Sequence, residues 1–395
     1  MKKIIYLHQY FNTNNNDGGT RSYEFSKALI KDGYYIYMIS GKDINKKEID
    51  AFKNFKIFST KAKYNNSMSY LRRISTFFNY IIRSIIIGIK LKGIDIVFAT
   101  STPLTIAIPG YILSKFHKSK FIFEVRDVWP DIPIELGVIK NKIIIKILKK
   151  FELFIYNKSS HIIVASKGML KNLLNKGINR SKISVITNIA NIELFDSIKT
   201  NKDKEKKILD LSDKFVCIHP GTMGFINGLD YVLDVAKEVN KIDDNVIFLL
   251  VGDGKERGHL ISRKKKENLD NVILIKSIPK IEIIKMIKAS DLGIMSVRNY
   301  KILEDNSANK FFDFFAAGLP ILINYGGWQK EILESYNAGF STSPTNFHDM
   351  AEKILYLKSN RKLVEEMSKN SRALAEEKFS RNICCNKLTD IFKNI

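Results

Sequence analysis

The chain has 395 residues, 64 of them basic and 41 acidic, for a formal net charge of +23 at pH 7. That length exceeds one ordinary hydrophobic core and suits two domains, and an apolar share of 45% excludes wholesale disorder. The charge asks for an anionic partner, whether nucleic acid, an anionic membrane or a phosphorylated substrate, and does not choose among them.

Three cysteines, Cys217, Cys384 and Cys385, offer neither a disulfide framework nor zinc spacing, which fits a reducing cytosol. The basic start, Met1-Lys2-Lys3, is followed by too short an apolar stretch for a signal peptide and reads as the first buried strand.

Residues 3–8 predict that strand. An Asn-rich loop follows over 9–20, containing Gly18-Gly19, then a helix to about Asp32 with Phe25, Ala28 and Leu29 facing inward, then a strand at 34–40. Strand, glycine-rich turn, helix and strand open a parallel α/β sheet, and the glycine pair lets backbone amides approach a phosphate or a sugar. The full dinucleotide spacing is absent, so this is no nicotinamide site.

Residues 70–92 are the most hydrophobic stretch, but Asn79 and Arg83 interrupt it, so a core helix is favoured over a membrane span. In a second stretch Ile143, Ile144, Ile145, Ile147 and Leu148 alternate with Lys142, Lys146, Lys149 and Lys150. With the basic flank of 70–92 this is the pattern of a face lying on anionic lipid.

Strands at 94–99 and 120–125 end in Ser101-Thr102-Pro103 and in Glu124-Val125-Arg126-Asp127-Val128-Trp129-Pro130. Ligands in open α/β sheets sit past the carboxyl ends of strands, so Arg126 and Asp127 are site candidates, against the plainer reading of an internal salt bridge. Trp129-Pro130 reads as a rigid corner with an aromatic face for a sugar ring. After strands near 161–165 and 183–187, the charged run 199–207 marks a domain boundary.

A second α/β series begins with a strand at 215–219 and the turn Pro220-Gly221-Thr222-Met223-Gly224. Strand 246–251 ends in Gly252-Asp253-Gly254, strand 272–276 precedes Ser277-Ile278-Pro279, and strand 291–296 leads to 305–318. There Asp305 and Asp313 stand eight positions apart, and Asp313 opens an apolar helix that Gly318 and Pro320 stop before a strand at 321–324. With Ser307 or Asn309 as cap, Lys310 and Asp313 share one face of its first turns. Amides at that end favour an anion, and Asp313 could accept from sugar hydroxyls, which is the chemistry of a nucleotide-sugar site. The plainer reading is an acid that offsets the helix dipole. No Asp-x-Asp pair stands at a strand end to hold a metal–diphosphate, no phosphate-binding Gly-Lys-[Ser/Thr] loop occurs, and His8 and His219 read as structural. Residues 360–395 predict helices.

In order and spacing, these motifs resemble the retaining glycosyltransferases of family 4 over nearly the whole chain. They are the Gly18-Gly19 loop, the Arg126-Asp127-Val128-Trp129-Pro130 corner, Gly221 to Gly228-Leu229, Val251-Gly252-Asp253-Gly254, and Asn309-Lys310-Phe311-Phe312-Asp313 running into Ala316-Ala317-Gly318. The Arg-Asp-x-Trp-Pro corner is similar to the L-fucosamine-transferase-like subgroup of O-antigen and capsule assembly. The resemblance implies an α/β GT-B fold, two Rossmann-like doubly wound domains facing a central cleft. Residues 1–198 would bind acceptor, 208–375 would bind the nucleotide-sugar, and the C-terminal helix 376–395 would pack back on the first domain.

It further implies donor contacts from Gly221, Thr222, Met223, Gly224, Ile278, Asn309, Lys310 and Asp313, with Asp313 on the ribose. Asp305, Arg126 and Asp127 would serve catalysis, and Gly18, Gly19 and Arg21 would form an acceptor or phosphate loop. The family carries Glu at both acidic positions, so each Asp withdraws its carboxylate by about 1.5 Å. Many relatives clamp the diphosphate with Arg and Lys after the second glycine turn. Thr222 and Asn227 occupy that region here, leaving the clamp to the amides of Gly221 to Gly224 with Lys310. Many relatives also have His where Arg126 stands.

The implied reaction is transfer with retention from a UDP-sugar, an N-acetylated amino or deoxyamino hexose, to a polyprenyl-diphosphate-linked saccharide. It needs no metal, no cofactor and no nucleic acid. The enzyme would be cytoplasmic and held peripherally on the inner face of the cell membrane. Competing readings are a UDP-sugar 2-epimerase of the same fold, which needs no acceptor, and a basic nucleic-acid-binding protein, whose binding would weaken steeply with salt. A catalytically silent scaffold, which the shortened acids would permit, is a further alternative.

Overall fold

The computed structural model describes residues 1–13, 20–43, 53–62 and 70–395; the candidates Gly18 and Gly19 lie outside the described residues. The chain forms two compact units. The first comprises Met1–Asn188, Asp305–Ser307 and Cys384–Ile395, and the second Ile189–Glu304 and Ala308–Ile383.

The first unit is built on seven parallel strands: β1 (Lys3–His8), β2 (Tyr35–Ser40), β3 (Phe55–Ser59), β4 (Ile96–Thr100), β5 (Lys120–Val125), β6 (His161–Val164) and β7 (Ile183–Val185). Their order is β3-β2-β1-β4-β5-β6-β7. Central parallel strands are covered on both faces and must be apolar throughout rather than alternating. Ile4, Ile5, Tyr6 and Leu7 obey this, being wholly buried. The register sets Ile5 beside Tyr37 on one side and Val97 on the other, and the strand order reverses at β1 and β4.

The second unit holds six parallel strands: β8 (Phe215–Pro220), β9 (Val246–Val251), β10 (Val272–Ile275), β11 (Leu292–Met295), β12 (Ile321–Ile323) and β13 (Gly339–Ser341). Their order is β10-β9-β8-β11-β12-β13, reversing at β8 and β11. Helix Asp230–Asn240 covers one face of this sheet with Val232, Leu233, Val235, Ala236 and Val239, all buried at the five positions its helical spacing turns inward.

Helix Asn309–Ala317 follows the predicted span but not the predicted capping. Its first residue follows Ala308, and neither Ser307 nor Asn309 caps it through a side chain. Its end is as expected: Gly318 takes the left-handed conformation that suits glycine, and the amides of Gly318 and Leu319 turn back to the carbonyls of Phe315 and Phe314. Helix Tyr70–Ile89 is only half a core helix. Tyr80, Ile81, Ser84 and Gly88 are buried, while Phe78, Ile82, Ile86 and Ile89 are exposed.

Candidate active site

Where strand order reverses in a parallel sheet, the neighbouring loops part in opposite directions and leave a crevice past the carboxyl ends. In the second unit that place is the end of β8, and the turn 221–228 springs from it. The turn is clipped to the 252–254 loop by two backbone hydrogen bonds: the amides of Gly221 and Met223 donate to the carbonyls of Val251 (2.8 Å) and Asp253 (2.9 Å). The approach is so close that a Cβ at Gly252 would overlap the carbonyl oxygen of Gly221, so glycine is required there. Of the four amides read as a phosphate cradle, Gly221 and Met223 are thus already engaged, and those of Thr222 and Gly224 remain for a ligand. Met223 contributes no side chain to the crevice, being wholly buried in the core, whereas Thr222 is exposed.

Lys310 reaches back from the first turn of helix Asn309–Ala317 to this turn. Its ammonium lies about 3.2 Å from where a side chain on Gly221 would begin, and 2.9 Å from His219 Nε2. His219 Nδ1 lies 3.0 Å from the Ile294 carbonyl, which can only accept, so Nδ1 carries the proton and Nε2 offers its lone pair to Lys310. Burial, and then the Lys310 charge, hold His219 well below the ordinary imidazole value, so it is neutral. Removal from water lowers Lys310 to about 7.

Asp313, on the same helix, accepts from Lys280 Nζ at 2.5 Å, with both side chains mostly buried. Ile278 is half-buried in the loop just before Lys280, and Asn309 is exposed at the helix start. Arg298, past the end of β11, braces the far side of the glycine turn. Its Nε donates to the Phe225 carbonyl at 2.7 Å, its guanidinium lies over the Phe225 ring, and Nη2 pairs with Glu256 at 3.1 Å.

In the first unit, Arg126 and Asp127 do stand past the end of β5. The Arg126 amide donates to Ser101 Oγ (3.0 Å), and Asp127 accepts from Thr102 Oγ1 (2.9 Å). His8, at the end of β1, is buried and kept neutral by that burial and by the charges of Arg126 and Lys42. Asp305 belongs with this unit, whereas Asp313 belongs with the second. The Asp305 side chain rests against Gly168 at the start of helix Lys167–Asn175, and its carbonyl accepts from the capping Ser166 hydroxyl at 2.6 Å. A carboxylate there also complements the helix dipole.

Arg21 departs from its reading as a phosphate-loop residue. It is 3% exposed, pairs with the fully buried Glu124 at 2.8 Å, and directs its remaining donors to the carbonyls of Ile186 and Thr187. It holds the unit together from inside and presents no free edge to a ligand.

Two Rossmann-like parallel sheets, with charged side chains past their carboxyl ends and a glycine turn after β8, have the architecture of the GT-B glycosyltransferases. Residues 18–194 match Glycosyltransferase Family 4 and residues 201–374 match Glycosyl transferases group 1, so the chain carries the paired domains of a glycosyltransferase. It is similar to TuaH of Bacillus subtilis, a glycosyltransferase assigned to teichuronic acid biosynthesis, with 26% identity over 256 residues, spanning only 62% of either chain. An uncharacterized glycosyltransferase of Methanocaldococcus jannaschii is 22% identical over 388 residues, 94% of this chain and 93% of that one. Among solved structures, HepE of Anabaena in complex with UDP and glucose shares the fold, with a TM-score of 0.75 and 16% identity over the full length of both chains.

Proposed function

We propose that the chain moves a sugar from a UDP-sugar to a polyprenyl-diphosphate-linked glycan in surface polysaccharide assembly, retaining the anomeric configuration and needing no metal. The donor sugar is an N-acetylated amino or deoxyamino hexose, following the resemblance to the L-fucosamine-transferase-like subgroup. The observation that carries the reading is Lys310, set beside neutral His219 against the glycine turn at the end of β8. A diphosphate on the amides of Thr222 and Gly224 would meet that ammonium, and charge on a leaving diphosphate would be met by donors already in position. The UDP bound by HepE and the teichuronic acid biosynthesis to which TuaH is assigned support the donor and the product class.

In this reading Asp313, steadied by Lys280, accepts from the donor ribose, and Ile278 and Asn309 border the nucleotide. The second domain, 208–375, binds the donor, while the first, 1–198, binds the acceptor with Gly18 and Gly19. Arg126, Asp127 and Asp305 act on the reacting groups. The acceptor hydroxyl loses its proton to the donor β-phosphate as the new glycosidic bond forms and the old one breaks, so no enzyme nucleophile is used. Because the acceptor is lipid-borne, the protein works peripherally on the inner face of the cell membrane. No helix among the described residues is long and apolar enough to cross it.

The test is calorimetric titration with UDP, GDP, ADP and CMP, in EDTA and again with magnesium. Selective UDP binding in EDTA is expected, and Asp313→Ala should weaken it by about 1.5–3 kcal/mol, the range for a hydrogen bond to a charged group. A folded variant with unchanged affinity removes the ribose role. Binding of RNA or DNA with indifference to every nucleotide would withdraw the transferase reading.

A further inference from the structure

Three helices lie side by side on one face of the first unit: Tyr70–Ile89, Ala107–Phe116 and Lys142–Lys158. Leu113 packs against Gly88, His117 Nε2 lies 3.0 Å from the Gly88 carbonyl, and the rings of Tyr111 and Phe154 meet edge to face at 5.1 Å. The outer surface of this layer is apolar. Phe78, Ile82, Ile86 and Ile89, spaced along one side of the first helix, are 40–60% exposed, and Ile112 and Phe116 of the second are 40% and 55% exposed. Helix Lys142–Lys158 goes further. From 142 to 150 every residue is exposed except Ile145 and Leu148, which are half-buried, and Ile143 and Ile147 stand 70% and 59% exposed. Its first two turns therefore stand clear of the unit on almost all sides.

Soluble monomers rarely leave so many large apolar side chains together in water, so something covers them. Charge decides what. The stretches 70–92, 107–118 and 140–151 contain no acid at all, while Lys90, Lys92, Lys115, Lys118, Lys142 and Lys146 are exposed among the apolar side chains. A second copy would set lysine against lysine, and a flat protein surface could not enclose a helix exposed on almost all sides. An anionic bilayer satisfies both constraints, since acyl chains surround an isoleucine ridge while headgroups meet the lysines.

The geometry points to insertion, not mere adsorption. The first half of helix Lys142–Lys158 enters the acyl boundary of an anionic leaflet as a wedge, with Ile143, Ile144 and Ile147 below the headgroups. The strip Phe78, Ile82, Ile86 and Phe116 lies along the same surface. This deepens the proposed function by giving its membrane partner a surface and a mode, and it rests on that reading only for the purpose of docking.

The experiment is flotation of the full chain with vesicles of phosphatidylcholine, with and without phosphatidylglycerol, at low and high salt. Wild type should float with the anionic vesicles and keep a salt-resistant fraction. Ile143→Asn with Ile147→Asn should lower binding by at least about ten-fold, the scale of losing two buried apolar side chains. Both positions are exposed, so thermal melting should be unchanged. A single Ile147→Trp should shift its emission to the blue on anionic vesicles, a signal that adsorption alone does not give. Binding abolished by salt, indifferent to the Asn pair and without the shift overturns insertion, as does a concentration-dependent dimer that needs the same isoleucines and ignores vesicles. UDP titration runs in parallel. Flotation without UDP binding keeps the wedge and removes the transferase reading, and UDP binding without flotation does the reverse.

Discussion

If Lys310 meets the donor diphosphate as proposed, its charge and the ligand are linked. Its pKa, lowered by burial to about 7, leaves the free protein largely without that charge above neutrality. A bound diphosphate favours the charged form, so binding at pH 8 should take up close to one proton. Affinity for UDP should then fall toward ten-fold per pH unit between pH 7 and pH 9, the limit for one proton coupled to binding. Titration calorimetry in two buffers of different ionisation enthalpy reads the proton directly. Lys310→Arg, charged throughout this range, should flatten the slope. Absence of uptake at pH 8 would separate Lys310 from the phosphate. Without ligand the linkage acts on the fold with a fixed sign. An unfolded lysine keeps its proton up to about 10.5 while the folded one loses it near 7, so this group makes folding more favourable as pH rises through that window.

At the scale of elements, the glycine turn after β8 is shaped by the loop after β9. The two backbone bonds from Gly221 and Met223 to Val251 and Asp253 hold them together only because Gly252 has no side chain. Gly252→Ala should part the two loops, cost about 1–3 kcal/mol by the usual penalty for overpacking, and weaken UDP binding more than it lowers stability. Denaturant melts paired with UDP titrations check this, and a variant native in both would detach the loop pair from donor binding. The sequence made the central strands plain because strands covered on both faces must be continuous apolar runs, as 246–251 is. Edge strands β3 and β13 escaped: β3 is half-exposed along most of its length and β13 has three residues, so neither carries that signal. The same contrast holds at the site. Gly221, Lys310 and Asp313 stand in a recognisable order along the chain. His219 and Lys280 bond to Lys310 and Asp313 across 91 and 33 positions, and no local pattern announces such partners. Position could have flagged His219, which lies near the end of the strand where the order reverses. Arg21 misled for the converse reason. A basic residue after two glycines looks like an anion binder, and the acid that captures it, Glu124, lies 103 positions away.

For the molecule as a whole, the path of the chain makes the first unit depend on its last residues. Helix Arg381–Asn394 starts in the second unit, but from Cys384 onward it belongs with the first. Leu388 and Phe392 are wholly buried there. The Phe392 ring meets Phe98 of β4 at 5.4 Å and Tyr34 at 6.0 Å, both nearly edge to face. Lys393 pairs with Asp32 at 2.8 Å across a partly exposed edge, a contact worth little in water. The apolar contacts therefore carry the attachment. Two large side chains buried at about 1.5–3 kcal/mol each make it worth roughly 3–6 kcal/mol to the first unit, a large part of the stability of an ordinary domain. Deleting 384–395 should accordingly loosen β1, β2 and β4 while leaving β8 to β13 protected. Hydrogen exchange resolved by peptide measures both halves in one sample, and Phe392→Ala should reproduce the loss in part. If β1 and β4 keep their protection after the deletion, Phe392 is packed without being needed. If β8 to β13 lose theirs as well, the two units do not unfold separately, and the terminal helix stabilises the whole chain at once.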